Sequence, residues 1–200
     1  MSGRNESGAM VGTLTGVAVV CGLLIVTAYQ LTKPTIAKNK AEQLKASVFE
    51  VLPGSTRTDT IQIATGGRVH AGYGEDGSLI GVAVEAKGQG FQDFIRVLYG
   101  YSPSLESIIG LKILDSKETP GLGDKIEKDP DFRENFSNLD VHLSAEGTLI
   151  NEIVAVKNGE KTKPWQVDGI TGATISSKAI ARLLNASASQ QLSKVREAIQ

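Results

Sequence analysis

The sequence predicts an α+β fold: a single apolar helix at the N-terminus, followed by a mostly antiparallel-sheet domain with flanking helices. Three observations predict it. No charged side chain occurs between Glu6 and Lys33. Short stretches of alternating apolar and polar residues crowd the middle of the chain, between 68 and 156. Helical periodicity beyond the apolar stretch is concentrated near 35–52 and 176–199, so strands and helices do not alternate as a doubly wound sheet requires. The 200 residues leave room for one ordinary domain of about 100 to 200 residues plus a small appendage.

Residues 1–10 read as an N-terminal tail and 11–32 as one transmembrane helix, since a span needs about 20 mostly apolar residues at 1.5 Å rise each. A cleaved signal peptide has an apolar region of only about 7 to 15 residues, so the longer stretch reads as an uncleaved anchor. Gly12 and Gly16 fit the small-xxx-small pattern of packed membrane helices, a common pattern. Cys21 lies within the span, which makes it an apolar filler rather than a nucleophile or disulfide partner. Residues 33–54 read as a linker helix, with Ile36, Leu44, Val48 and Val51 on one face between Pro34 and the breaker Pro53-Gly54. Lys33, Lys38 and Lys40 follow the span and Arg4 precedes it. Taken alone, the positive-inside rule then places the C-terminal part in the cytoplasm.

Residues 55–200 form the expected soluble domain. Strand 68–73, the loop Gly74-Glu75-Asp76-Gly77 and strand 79–86 make a hairpin. Gly88-Gln89-Gly90 breaks the chain before 91–101, and 105–114 is a further strand. Residues 124–136 read as short helical turns around Pro130. The β pattern resumes at 141–143 and 148–156 around Glu146-Gly147, and a helix over 176–199 closes the chain.

Composition excludes several classes of function. Twenty-one Lys and Arg against 22 Asp and Glu give a net charge of −1, so no electrostatic excess favours nucleic acid. One cysteine and two histidines cannot ligate an iron–sulfur cluster, and C-x-x-C-H is absent. His70 and His142 fall on predicted strands without metal-ligand spacing, so they read as structural or surface residues and no metal site is expected. G-x-S-x-G is absent, and no nucleophile pairs with an evident base. If the chain carries electrons, it needs another kind of cofactor.

Two segments carry chemistry. In Asp168-Gly-Ile-Thr-Gly-Ala-Thr-Ile-Ser-Ser177, hydroxyl side chains stand at the entrance of the last helix, where N–H groups and the helix dipole favour a phosphate. Gly172 and Ala173 leave the backbone bare beside the Thr174 hydroxyl. An ordinary Ser/Thr N-cap after a glycine turn has the same composition. In Lys117-Glu-Thr-Pro-Gly-Leu-Gly-Asp124, Pro120 fixes φ while Gly121 and Gly123 permit close approach to a flat ring or a phosphate, with Leu122 as an apolar contact. Glu118 and Thr119 either bond a cofactor or close the turn. Trp165, the only tryptophan, stacks near such a ring or packs in the core.

The exact order Thr171-Gly172-Ala173-Thr174-Ile175-Ser176, preceded by Asp168, resembles the flavinylation motif of the FMN-binding domain family, and Glu118 to Gly123 resembles that family's second motif. Thr171 stands where Ser is common and keeps the hydroxyl. With the N-terminal span, the resemblance is nearest to the G subunits of Rnf electron-transport complexes. The C subunits of sodium-pumping NADH:quinone oxidoreductases and an unflavinylated anchoring or assembly subunit are the alternatives. The resemblance implies FMN held covalently by a phosphoester on Thr174, made by a flavin transferase. It implies cofactor contacts from Asp168, Thr171, Gly172, Ala173, Ser176, Ser177, Glu118, Thr119, Gly121, Leu122 and Gly123. It further implies a redox subunit of an ion-translocating oxidoreductase, with other membrane and peripheral subunits as partners. An external cytochrome or another flavin subunit is a further partner, and the flavin domain faces away from the cytoplasm, against the lysine count.

Overall fold

The computed structural model describes residues 3–63 and 67–199. The chain divides into two units, Met1–Leu44 and Lys45–Gln200. Helix α1 (Gly3–Val51) begins in the first and ends in the second. It runs unbroken through Pro34, where the sequence suggested a boundary between span and linker. Proline removes one i→i−4 bond, but leaving the helix in an apolar medium would free many more backbone groups. Residues 7–43 are exposed throughout, including Leu14, Leu23, Leu24 and Ile25. Among the described residues, this is the one helix long and apolar enough to cross a membrane.

The second unit is built on a six-stranded antiparallel meander in the order β1-β2-β3-β4-β5-β6. Its strands are β1 (Arg57–Gln62), β2 (Arg68–Tyr73), β3 (Leu79–Gln89), β4 (Phe94–Ser102), β5 (Ser107–Asp115) and β6 (Leu139–Asp140). Helices α2 (Lys125–Lys128) and α3 (Pro130–Glu134) lie between β5 and β6. Strands β7 (Val154–Val156) and β8 (Gln166–Asp168) pair in parallel, and α4 (Thr174–Ala198) ends the fold.

Glycines cut a groove across the meander. Gly72 pairs with Gly81, and Gly100 with Gly110. A Cβ on Gly100 or Gly110 would stand 2.0 or 2.6 Å from the Val51 carbonyl oxygen, and one on Gly72 would stand 2.7 Å from Leu52. The final turns of α1 settle there, burying Ser47, Val48 and Val51, together with Leu52 just beyond the helix. The main core gathers Val82 and Val84 of β3, Val97 and Tyr99 of β4, and Ile180, Leu184 and Ala188 of α4. Inside it, the Tyr99 hydroxyl bonds Ser187 Oγ at 3.0 Å. This packing fixes α4 on the sheet, and with it the residue at the helix entrance.

Several elements differ from expectation. Residues 57–62 form a strand although their side chains are largely polar and exposed, because β2 offers a paired edge. Strand β3 continues to Gln89, which moves the break to 90–93. Of the two later β segments, 148–156 keeps only β7 and a bridge between Leu143 and Leu149. The Ile153 N–H is given to Asn185 Oδ1 of α4 at 2.9 Å, and Ile150 N–H to the His142 carbonyl at 2.9 Å, so no longer ladder forms. His70 lies on β2 and bonds Thr60 Oγ1 at 3.2 Å. His142 follows β6 outside any strand.

His142 Nδ1 bonds the Asp140 carboxylate, and Nε2 lies 3.4 Å from Glu106, which also takes Arg196 at 3.2 Å. The bond to Asp140 comes first, and the charges of Asp140 and Glu106 add to it. Together they hold the His142 pKa above its ordinary 6.5. A raised folded-state pKa stabilises the fold fully below the unfolded value and loses that contribution as pH rises through the folded one. The melting temperature of the wild type should therefore fall, relative to that of His142→Gln, as pH rises from about 6 upward. Parallel melting profiles for the two proteins would show that this cluster contributes nothing.

Candidate functional site

Strand β8 delivers the chain to the entrance of α4. The buried Asn135 amide pairs with the Asp168 backbone, accepting from its N–H at 2.8 Å and donating to its carbonyl at 3.1 Å. The Asp168 carboxylate turns to the Gly159 N–H at 2.8 and 3.0 Å. It orders the loop between β7 and β8 and does not line the pocket described below. The turn over 169–173 is locked by Ser177, whose Oγ accepts from Ile170 N–H at 3.1 Å and donates to the Ala173 carbonyl at 3.0 Å. Gly172 sits at φ +83° in that turn, a conformation costly for any residue with a Cβ.

The N-cap of α4 is Ala173, with no side-chain capping bond, so the Ser/Thr cap suggested by composition does not form. The first-turn N–H groups and the positive end of the dipole are left available. The four hydroxyls of the motif are used differently. Ser177 locks the turn, and Ser176 Oγ donates to the Glu118 carboxylate. Thr171 is exposed outside the pocket, whereas Thr174 is exposed and lines it.

That pocket has a volume of about 340 Å³ and is lined by residues of three segments. Phe91 comes from the loop before β4. Thr119, Leu122 and Gly123 come from the segment after β5, and Gly172 to Ser176 come from the entrance of α4. Phe91, Leu122 and Ile175 leave 58%, 53% and 53% of their surface exposed around it, an apolar wall awaiting a cover.

Glu118 ties the three segments together. It is only 5% exposed. Oε1 accepts the N–H groups of Phe91 at 2.8 Å and Gln92 at 3.1 Å, and Oε2 accepts from Ser176. All these bonds run within the protein, so Glu118 closes the site from behind and is not aimed into the pocket. A second tie runs from Gln92 Nε2 to Thr119 Oγ1 at 3.1 Å. Of the residues expected to touch a cofactor, Thr119, Leu122, Gly123, Gly172, Ala173, Thr174 and Ser176 converge on the pocket. Glu118 stands behind it, and Asp168, Thr171, Gly121 and Ser177 lie off its lining. Trp165 does not line it either, and sits against Lys163 with Nζ 5.9 Å from the ring centre. Phe91 and Ile175 join the lining without a sequence signal strong enough to single them out. For Phe91 a weak one exists: Gly90, where a Cβ would stand 2.5 Å from Glu118 Oε1, marks a loop pressed against something.

A bare helix entrance with a free hydroxyl, bordered by an open apolar wall, defines a site for a ligand with one phosphate end and one flat apolar end. Similarity to known proteins points the same way. Residues 90–189 match the FMN-binding domain and residues 11–51 match the RnfG N-terminal region. The G subunit of the ion-translocating oxidoreductase complex of Methanosarcina acetivorans is 31% identical, over 92% of this chain and 94% of that one. The G subunit of the proton-translocating ferredoxin:NAD(+) oxidoreductase complex of Clostridium ljungdahlii is 27% identical, over 90% and 88%. The crystal structure of Shewanella oneidensis NqrC shares the fold with a TM-score of 0.55 at 19% identity, over 76% of this chain and 75% of that one. The chain thus belongs to the FMN-binding domain family, alongside the G subunits of ion-translocating oxidoreductases, and is a single-pass membrane protein.

The two motif glycines after Glu118 serve different ends. Gly121 has φ +79°, and a Cβ placed on it would meet nothing within 4 Å, so conformation and not close approach requires it. Gly121→Val should cost about 1–2 kcal/mol of strain. A Cβ on Gly123 would stand 2.8 Å from Glu118 Cβ and Oε2 and 3.0 Å from Ser176 Oγ. Gly123→Ala should cost about 1–3 kcal/mol by overpacking. Denaturant unfolding of the full chain in detergent measures both, and an undiminished midpoint for Gly123→Ala would contradict a tightly held Glu118.

Proposed function

We propose that the chain carries FMN covalently through a phosphoester on Thr174 Oγ1 and acts as the membrane-anchored electron-transfer subunit of an Rnf-type ion-translocating ferredoxin:NAD oxidoreductase. One observation carries the attachment: of the motif's hydroxyls, Thr174 alone is both exposed and open to the pocket at the uncapped start of α4. The match of residues 11–51 to the RnfG N-terminal region supports the G-type reading over the C-type one.

The residues present fit the cofactor. The first-turn N–H groups of α4 hold a phosphate. Gly172 and Ala173 give it room, and Phe91, Leu122 and Ile175 offer apolar surface for a ring. Attachment forms a bond from Thr174 Oγ1 to phosphorus and breaks a P–O bond of a flavin phosphoanhydride. The hydroxyl proton is lost, and the leaving phosphate departs with the oxygen of the broken bond. A flavin transferase supplies the donor and the base. When bound, FMN supplies the redox chemistry, while the protein supplies orientation and electrostatics. Thr174 is an anchor and takes no part in turnover.

The electron partners are the other membrane and peripheral subunits of the complex, with an external cytochrome or another flavin subunit as a further neighbour. The domain faces the non-cytoplasmic side, where a covalent bond prevents loss of the cofactor. Thr174→Ala should abolish flavin fluorescence on a denaturing gel of protein made with a flavin transferase. The same substitution should change stability by less than about 0.5 kcal/mol, since the exposed hydroxyl caps nothing. Thr171→Ala should weaken the signal without moving it. Fluorescence persisting in Thr174→Ala would place the bond elsewhere. A reporter fused after Gln200 should be active only outside the cytoplasm, and cytoplasmic activity would overturn the orientation.

A further inference from the structure

We propose that Phe91 is the residue against which the flavin ring packs and that Glu118 is the residue that positions it, an inference resting on the covalent-FMN reading. A phosphoester on Thr174 fixes one end of the cofactor and leaves the ring on a flexible chain. Holding the ring still requires a second contact, which lowers the conformational freedom lost at each transfer.

Phe91 has the right chemistry and the right place. Among the described residues it is the one aromatic side chain lining the pocket that contains Thr174, and it is 58% exposed there. Phe94, three residues on, is also exposed but already covers its ring with Lys87, whose Nζ lies 4.3 Å from the ring centre. The flat face of Phe91 suits offset stacking with an aromatic ring.

The loop that carries Phe91 is held by Glu118. The Phe91 and Gln92 N–H groups both donate to Oε1, and Gly90 N–H closes the loop on the Asp93 carbonyl at 2.9 Å. Oε2 accepts from Ser176, two residues beyond the attachment point. One carboxylate therefore sets the position of the ring-facing residue relative to the phosphate-bearing one. Nothing near it has slack, because a Cβ on Gly90 would stand 2.5 Å from Oε1 and one on Gly123 would stand 2.8 Å from Oε2. Glu118 meets no cofactor in this arrangement and acts only through Phe91 and Ser176.

The test uses the full chain produced with a flavin transferase and purified in detergent, with flavin anisotropy and visible-region circular dichroism as readouts. Peptide mass mapping should find flavin on Thr174 in the wild type, Phe91→Ala, Phe91→Trp and Glu118→Ala. Phe91→Ala should lower the anisotropy and lose the induced dichroism, and Phe91→Trp should retain both. Glu118→Ala should reproduce the Phe91→Ala loss, and the double variant should lose no more than either alone. Wild-type protein without flavin on Thr174 would overturn the attachment reading, and this inference with it. Flavinylated Phe91→Ala with unchanged anisotropy and dichroism would overturn the ring contact alone. Additive losses in the double variant would overturn the positioning role of Glu118. If Glu118→Ala fails to fold, Glu118→Gln replaces it: its amide oxygen still accepts the Phe91 N–H, so it should keep more of the dichroism than Phe91→Ala, and an equal loss would overturn the positioning role.

Discussion

The buried Glu118 carboxylate is the interaction on which the site depends. A carboxylate withdrawn from water must find hydrogen-bond donors, and this one finds three, in two different segments of chain. Removing it would leave two backbone N–H groups and a serine hydroxyl in search of partners. The loop at 90–93, the turn at 119–124 and the start of α4 would then have fewer reasons to meet. The glycines around it follow from the same constraint, since Gly90 and Gly123 stand where a Cβ would strike the carboxylate.

Much of the fold was legible in the sequence. The turn-bounded run at 68–73, the loop residues after it and the alternation at 79–86 give the β2–β3 hairpin because each residue there needs only a local neighbour. Strands β1 and β8 were hidden. Arg57–Gln62 is polar on both faces, and Gln166–Asp168 is three residues long. Both are strands only because the edge of a neighbouring strand, β2 for β1 and β7 for β8, pairs with them. At the site, the motif order pointed to Thr174 and the glycine turn. It said nothing of Phe91, whose place is set by Glu118 across a separation of 27 residues. It gave no hint that the Asp168 carboxylate takes the Gly159 N–H, and left Asn135 unnoticed as the clamp on β8.

Anchor and domain place different demands on the chain. An exposed apolar surface from Met10 to Leu31 is tolerable only in lipid or against other membrane helices. The domain solves the ordinary problem of a sheet by covering one face with α4, and the glycine groove lets the end of α1 pack on the other. The entrance of α4, where the attachment is proposed, thereby sits on a helix packed into the main core, which suits a carrier that must hold its group at a defined place.

The central claim is that Thr174 bears the flavin, and intact-mass analysis of the full chain tests it most directly. Protein made together with a flavin transferase should gain the mass of one FMN less one water, and protein made without it should not. Fragmentation should place the increment on the peptide containing Thr174. An unchanged mass in the presence of an active transferase, or an increment on a peptide lacking Thr174, would contradict the account.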